Sequence, residues 1–319
     1  MTPNPPTAVD RFASLREERK KFRMRTLLAP ITERGYAYDW TLFERWCVQE
    51  GLTSLPATPD TVSLYVTAVL VSGIKISTAS RRFWAIRHAH RSAKLPFLID
   101  GEVREILDGA QCLRLETPHQ MTPLSLAQIE KIAGSLGGTD TPRAARNRCI
   151  VLFGFFSALR RSSLSALMLA DIEFAPQGLI VHIRKEKQDQ KGEGRMIGLP
   201  CGAREITCPV AAVRAWLKHR GDNPGPLFSR LDRAASPGKR LAPAAIAEVV
   251  KTCVSAIGLD RSKFAGHSLR SGFCTAAGEA NIGEWLVASQ TGHRSMKVLR
   301  RYFRRTDLFK ANAAGLIGL

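Results

Sequence analysis

Between Ile172 and Leu199 the 319-residue chain leaves helical spacing for short runs of β character. Ile172 to Phe174, Leu179 to Arg184 and Arg195 to Leu199 read as strands, and the polar, Gly-bearing stretch Lys185–Gly194 separates the last two as a hairpin loop. On either side the apolar residues recur at three- and four-residue intervals, the mark of amphipathic helices. The expected fold is therefore mainly α with a small β-sheet.

The helices before the strands form one group. Tyr36 to Gln49 places Trp40, Phe43 and Trp46–Cys47 on one face and stops at Gly51. Thr58-Pro59-Asp60 is a cap-like start, with Gly73 as the stop. Ser77 or Thr78 caps a third helix carrying Ala79, Phe83, Ile86 and His90, and Glu102 to Leu107 opens a fourth. Leu113 to Gln120 breaks the pattern. Ser125 to Leu136 and Pro142 to Leu159 precede the strands, and Pro209–His219, Pro243–Ile257, His267–Ala280, Glu284–Ser289 and Met296–Arg304 follow them. This divides the chain into a disordered, Pro-rich start (1–14), a helical domain (15–112), a linker (113–123), a second domain holding the sheet (124–306) and an apolar tail (307–319).

The longest near-apolar run, Cys149 to Leu159, is far short of the ~20 residues a bilayer span needs, so it reads as a buried helix. The first residues lack the charged-then-apolar pattern of a signal peptide. Seven cysteines, with no Cys-x-x-Cys and no zinc-like spacing, suggest reduced, buried thiols of a cytoplasmic protein. Charge narrows the function. Lys and Arg number 47 against 28 Asp and Glu, a formal net charge of +19. Residues 121–319 hold 30 of the basic and 15 of the acidic side chains. Such a surplus suits a polyanionic partner, although a solubility charge or a membrane-surface charge gives the same total.

Individual residues in the second domain carry two readings each. Arg160 and Arg161 close an apolar helix, where cations favour the dipole. His267 and Arg270 lie three apart at a helix start, so they share a face. His293 follows a Gly at a helix break, and Tyr302 sits among Arg300, Arg301, Arg304 and Arg305. Taken singly, these are a capped helix end, incidental basic residues, a turn with a buried His, and an aromatic beneath a solvated face.

Their order resembles a known set. A helix-end Arg, a hairpin Lys, His-x-x-Arg, Gly-His and a Tyr nine residues beyond that His are the signature of the tyrosine recombinase (phage integrase) family, and the resemblance runs from about residue 32 onward. It implies a helical, SAM-like core-binding domain, followed by a catalytic domain. The stretches Tyr38-Asp-Trp-Thr-Leu-Phe-Glu-Arg-Trp-Cys47 and Leu55-Pro-Ala57 look like the former in Cre-like enzymes. It implies catalytic roles for Arg160, Lys187, His267, Arg270, His293 and Tyr302. Lys185 and Lys191 share the hairpin, and Lys187 is preferred because Asp-Gln follows one residue on. One position departs from the pattern: three residues after the first arginine the family carries an acid that supports the active-site histidine, and here it is Ser163.

The chemistry explains why these residue types belong together. A phenolate attacking a phosphodiester builds charge on the non-bridging oxygens, which planar guanidinium forks can meet in bidentate fashion. A phenol of pKa ~10 needs a base and a cationic field to react near neutrality. By resemblance His267 is that base, Lys187 the acid for the leaving 5′-oxygen, and His293 a hydrogen-bond donor to the phosphate. The phosphotyrosyl bond conserves energy, so no cofactor, metal or ATP is expected, and the sequence has neither a Gly-rich phosphate loop nor clustered carboxylates.

The expected activity is site-specific cutting and rejoining of double-stranded DNA through a 3′-phosphotyrosyl intermediate, on inverted-repeat sites and as a homo-tetramer. Two lobes would clamp the duplex between them. Lys75, Arg81, Arg82, Arg87, His88 and Arg91, on or beside the third helix, are candidate DNA contacts or else a solvated helix face. The tail packs in cis or docks on a neighbouring copy. A type IB topoisomerase-like enzyme and a non-catalytic DNA-binding protein are the alternatives.

Overall fold

The computed structural model describes residues 18–19, 30–97, 100–114, 120–137, 141–184, 186, 189, 193–232 and 237–303. The expected disordered start, the tail 307–319 and Lys185, Lys187 and Lys191 lie outside these residues. The chain divides into two compact units, Met1–Pro118 and His119–Leu319.

Among its described residues the first unit has helices and no strand: α1 (Pro30–Gln49), α2 (Pro59–Val71), α3 (Ile76–Ser92) and α4 (Asp100–Arg114). Phe43, Cys47, Val62, Tyr65, Val66 and Ile86 fill its core. Thr58 caps α2 by accepting from the Thr61 N–H, and Gly73 ends it at a φ of +81°. The start of α3 differs from expectation. Lys75 is its N-cap and makes no side-chain bond, because burying Ile76 draws the first turn ahead of the hydroxyls of Ser77 and Thr78. The fourth helix also runs further than expected. Leu113 and Arg114 complete it rather than starting the linker, and Arg114 donates to the carbonyls of Leu70 and Ile74, giving donors to carbonyls in and just beyond the last turn of α2.

The second unit opens with α5 (Leu126–Gly137), α6 (Pro142–Ser157) and α7 (Arg161–Ala166). An antiparallel sheet follows in the order β1 (Ile172–Ala175), β2 (Gly178–Ile183), β3 (Arg195–Pro200), with Val181 paired to both Ile172 and Ile197. The three strands fall within a residue of the expected bounds. Then come α8 (Pro209–Arg220), a short hairpin of β4 (Ser229–Leu231) and β5 (Pro237–Arg240), α9 (Pro243–Ala256), α10 (His267–Glu279), α11 (Glu284–Thr291) and α12 (Met296–Phe303). The β4–β5 hairpin is an addition to the sequence reading: Ser229–Leu231 and Pro237–Arg240 contain no β-branched or aromatic residue to mark them as strands.

The run Cys149–Leu159 is indeed buried, and α6 is the central helix, packed among α5, α8 and α10. Two glycines let α10 come close. A Cβ on Gly154 would sit 2.8 Å from Leu269 Cδ1, and one on Gly272 only 2.1 Å from the Leu124 carbonyl oxygen. That strand of chain is itself bonded to the start of α10, Leu124 N–H donating to Ser268 O. All seven cysteines are free, but Cys112 and Cys201 are exposed, so the expectation of uniformly buried thiols is corrected. No described helix is long and apolar enough to cross a membrane.

Candidate active site

Four helix ends converge. α6 stops at Ala158, a buried non-glycine residue in the left-handed region (φ 50°, ψ 26°). The reversal sinks Leu159 into the core and leaves Arg160, half-buried, as N-cap of α7. α10 begins with His267, which keeps solvent access, and turns Arg270 inward until it is 1% exposed. α11 ends at Gly292, whose φ of +68° swings the chain so that His293 points back. α12 delivers Tyr302.

Arg270 is the hub. Its Nη1 donates to Ala158 O at 2.7 Å and Thr291 O at 2.6 Å, and its Nη2 to His293 Nε2 at 3.0 Å. One guanidinium thus fixes the turn before Arg160 and the turn before His293. Because an arginine only donates, His293 Nε2 must accept, and in the neutral ring the proton is on Nδ1. Nδ1 then donates to Thr291 Oγ1 at 2.7 Å, and that hydroxyl passes its own proton to Val287 O at 2.6 Å. All these bonds agree on a single tautomer.

Tyr302 hydroxyl and His267 Nε2 are 2.9 Å apart. Partial burial holds the phenol above its usual 10, and the nearby arginines only partly offset this. Desolvation first, then the charges of Arg270, Arg160 and Arg161, holds His267 below the usual 6.5. Both groups are therefore neutral at neutral pH, with the phenol donating to the imidazole. His293 is driven down to about 3 by desolvation first and then by the charges of Arg270 and Arg160. Arg270 falls to about 10, chiefly through burial, and remains a cation.

The structure thus brings five of the six expected catalytic residues to one pocket: Arg160, His267, Arg270, His293 and Tyr302. The sixth, Lys187, lies outside the described residues. Its chain neighbour Glu186 is described, and sequence reading passed over it. The Glu186 side chain is only 8% exposed; Oε1 lies 3.6 Å from Arg160 Nη1, and Oε2 accepts from Arg195 Nε at 2.9 Å. Arg195 Nη1 in turn donates to Ser289 O and Gln290 O, at the negative end of α11. Ser163 is buried. Among the described residues no cluster of His, Cys, Asp and Glu suits a metal ion.

In the first unit, two of the six candidate DNA contacts have structural work. Arg81 grips the fully buried Asp39 through two bonds of 2.7 and 3.0 Å, and Arg82, mostly buried, lies 4.0 Å from the same carboxylate and donates to Tyr65. They tie α3 to α1. Arg87 lies over the Trp84 ring and His88 against Tyr36, both half-buried, while Lys75 and Arg91 are exposed.

The sequence pattern of the phage integrase family matches residues 123–308. An integrase/recombinase xerD homolog from Selenomonas ruminantium is 33% identical over 298 residues, 92% of this chain and 87% of that protein. Among solved structures, the XerH site-specific recombinase bound to palindromic difH substrate, a post-cleavage complex, superposes with a TM-score of 0.60 at 18% identity, covering 82% of this chain and 71% of that one. A lambda integrase tetramer bound to a Holliday junction gives 0.56 at 14% identity, covering 91% and 76%.

Proposed function

From the premise that this chain belongs to the phage integrase family and is a tyrosine-type site-specific DNA recombinase, we propose that Tyr302 is the nucleophile and that the pocket described above assembles around one scissile phosphate. The observation that carries this reading is the 2.9 Å contact between Tyr302 and a neutral His267, beside Arg270 and Arg160.

The phenol oxygen attacks phosphorus as its proton passes to His267 Nε2. Arg160 and Arg270 meet the non-bridging oxygens, where negative charge grows. The bond to the 5′-oxygen breaks, and Lys187 supplies the proton that oxygen needs. The 3′-phosphotyrosyl bond keeps the energy of the broken diester, so rejoining is the same path reversed with a second 5′-hydroxyl as attacker. Neither ATP nor a metal ion enters the scheme. His293, with its proton on Nδ1, accepts from Arg270; it donates to phosphate only on gaining a second proton, which the negative charge of bound DNA favours by offsetting the arginine field.

The basic second domain, the exposed Lys75 and Arg91, and the half-buried Arg87 and His88 support duplex DNA as the partner. Lambda integrase as a tetramer on a Holliday junction supports a tetramer on paired inverted-repeat sites here. Work on chromosomal or plasmid DNA puts the protein in the cytoplasm.

The test uses duplexes cut from DNA adjoining the gene, searched for paired inverted repeats around a short spacer. Wild-type protein should form an SDS-resistant protein–DNA adduct, while Tyr302→Phe should bind the same duplex and form none. An adduct surviving in that variant removes Tyr302 from the role.

A further inference from the structure

Glu186 is a buried acid set between two arginines, Arg160 and Arg195, and it occupies a junction. It follows β2 and directly precedes Lys187 in the chain. Its two oxygens divide between two arginines, Oε1 facing Arg160 at 3.6 Å and Oε2 bonded to Arg195 at 2.9 Å. Arg195 opens β3 and reaches the last carbonyls of α11, just before His293. Gly292 closes the junction: a Cβ there would lie 2.8 Å from both Glu186 Oε2 and Arg195 Nε. A carboxylate held this way has a physical job. Two flexible guanidinium groups near each other repel, and each has many rotamers. A fixed anion between them removes the repulsion and selects one placement for Arg160.

We propose that Glu186 is a positioning residue, whose buried carboxylate fixes Arg160 for the scissile phosphate and locks the β2–β3 hairpin to the end of α11 through Arg195. The inference rests on the strand-cleavage reading above. It assigns to the hairpin acid a task that Ser163, with no charge, does not perform. Glu186 touches no reacting atom, so it acts through Arg160.

Two substrates separate this from a merely structural role. In a methylphosphonate duplex one non-bridging oxygen is replaced by a methyl group, so the phosphate has no charge for Arg160 to meet. A defect that arises from a misplaced Arg160 should therefore shrink on that substrate. The full-length Glu186→Gln variant should bind duplex DNA like the wild type but form the adduct about 10- to 100-fold more slowly in single turnover, the usual loss when an orienting partner is removed. On the methylphosphonate its rate should come within about threefold of the wild type, a residual small beside that loss.

Unchanged cleavage of the ordinary diester would overturn the proposal. So would an equal loss on both substrates, or a loss of binding in step with a loss of folded protein. Should Glu186→Gln not fold, Glu186→Asp, which keeps the charge but withdraws it by one methylene, is read against the same outcomes. A wild-type protein that forms no adduct on either duplex sinks the cleavage reading itself, a result distinct from all of these.

Discussion

Tyr302 and His267, the proposed nucleophile and base, are joined by a hydrogen bond whose proton has not been transferred. Tyr302 is held above its ordinary pKa of 10 and His267 below 6.5, so burial first, and then the arginines that await phosphate, keep His267 neutral at physiological pH. Adduct formation with DNA well below saturation reports the free enzyme, so it should stay flat through neutrality and fall only at pH below the ordinary histidine value. An acid limb centred well above 6.5 would contradict His267 as the base. Stability follows the same groups. The folded protein refuses protons at His293 until about pH 3, whereas the unfolded chain takes one near 6.5. As pH falls from 6.5 towards 3, the unfolded state therefore binds more protons and stability drops. Urea unfolding of the wild type should show this loss, and His293→Gln should flatten it; parallel curves for the two proteins would refute the assignment.

At the level of helices and strands, what the sequence disclosed depended on whether a signal was local. β1 to β3 were legible as short β-like runs, the last two set off by the polar, Gly-bearing stretch between residues 185 and 194. The five expected catalytic side chains were legible only as an ordered set: singly Arg160, His267, Arg270, His293 and Tyr302 read as ordinary helix-end residues, and their order became informative through its resemblance to a known family. Glu186 was not: an acid among Lys185, Lys187 and Lys191 reads as a solvated loop, and only the tertiary fold buries it. Nor was the hub role of Arg270, because its acceptors are main-chain carbonyls of Ala158 and Thr291, which carry no residue identity. Arg81 and Arg82 resembled DNA contacts for the converse reason: their partner, Asp39, is distant in sequence. Close helix approach offers a direct check. Gly272→Ala puts a Cβ 2.1 Å from a backbone oxygen that cannot rotate away, so α10 must shift. Urea melts should show a loss of about 2 kcal/mol or more; a melt like the wild type would mean that the chain at Leu124 yields easily.

Across the whole molecule, charge and tail point to assembly. The surplus of basic groups lies in residues 121–319, the part that carries the pocket, so DNA is drawn to the domain that cuts it. The apolar segment 307–319 beyond Tyr302 has little reason to be apolar if it remains in water, and we propose that it docks on a neighbouring copy. Deleting it should leave cleavage of a single site intact while abolishing paired-site complexes in native gels; unaltered pairing would rule out docking in trans. Arg270 has one further consequence. Its guanidinium can be sequestered from water only when the chain around residue 158 and the chain around residue 291 have both arrived to receive it. A nascent or partly denatured copy therefore holds no organised receptor for phosphate, and strand cutting waits until the chain's own folding is finished.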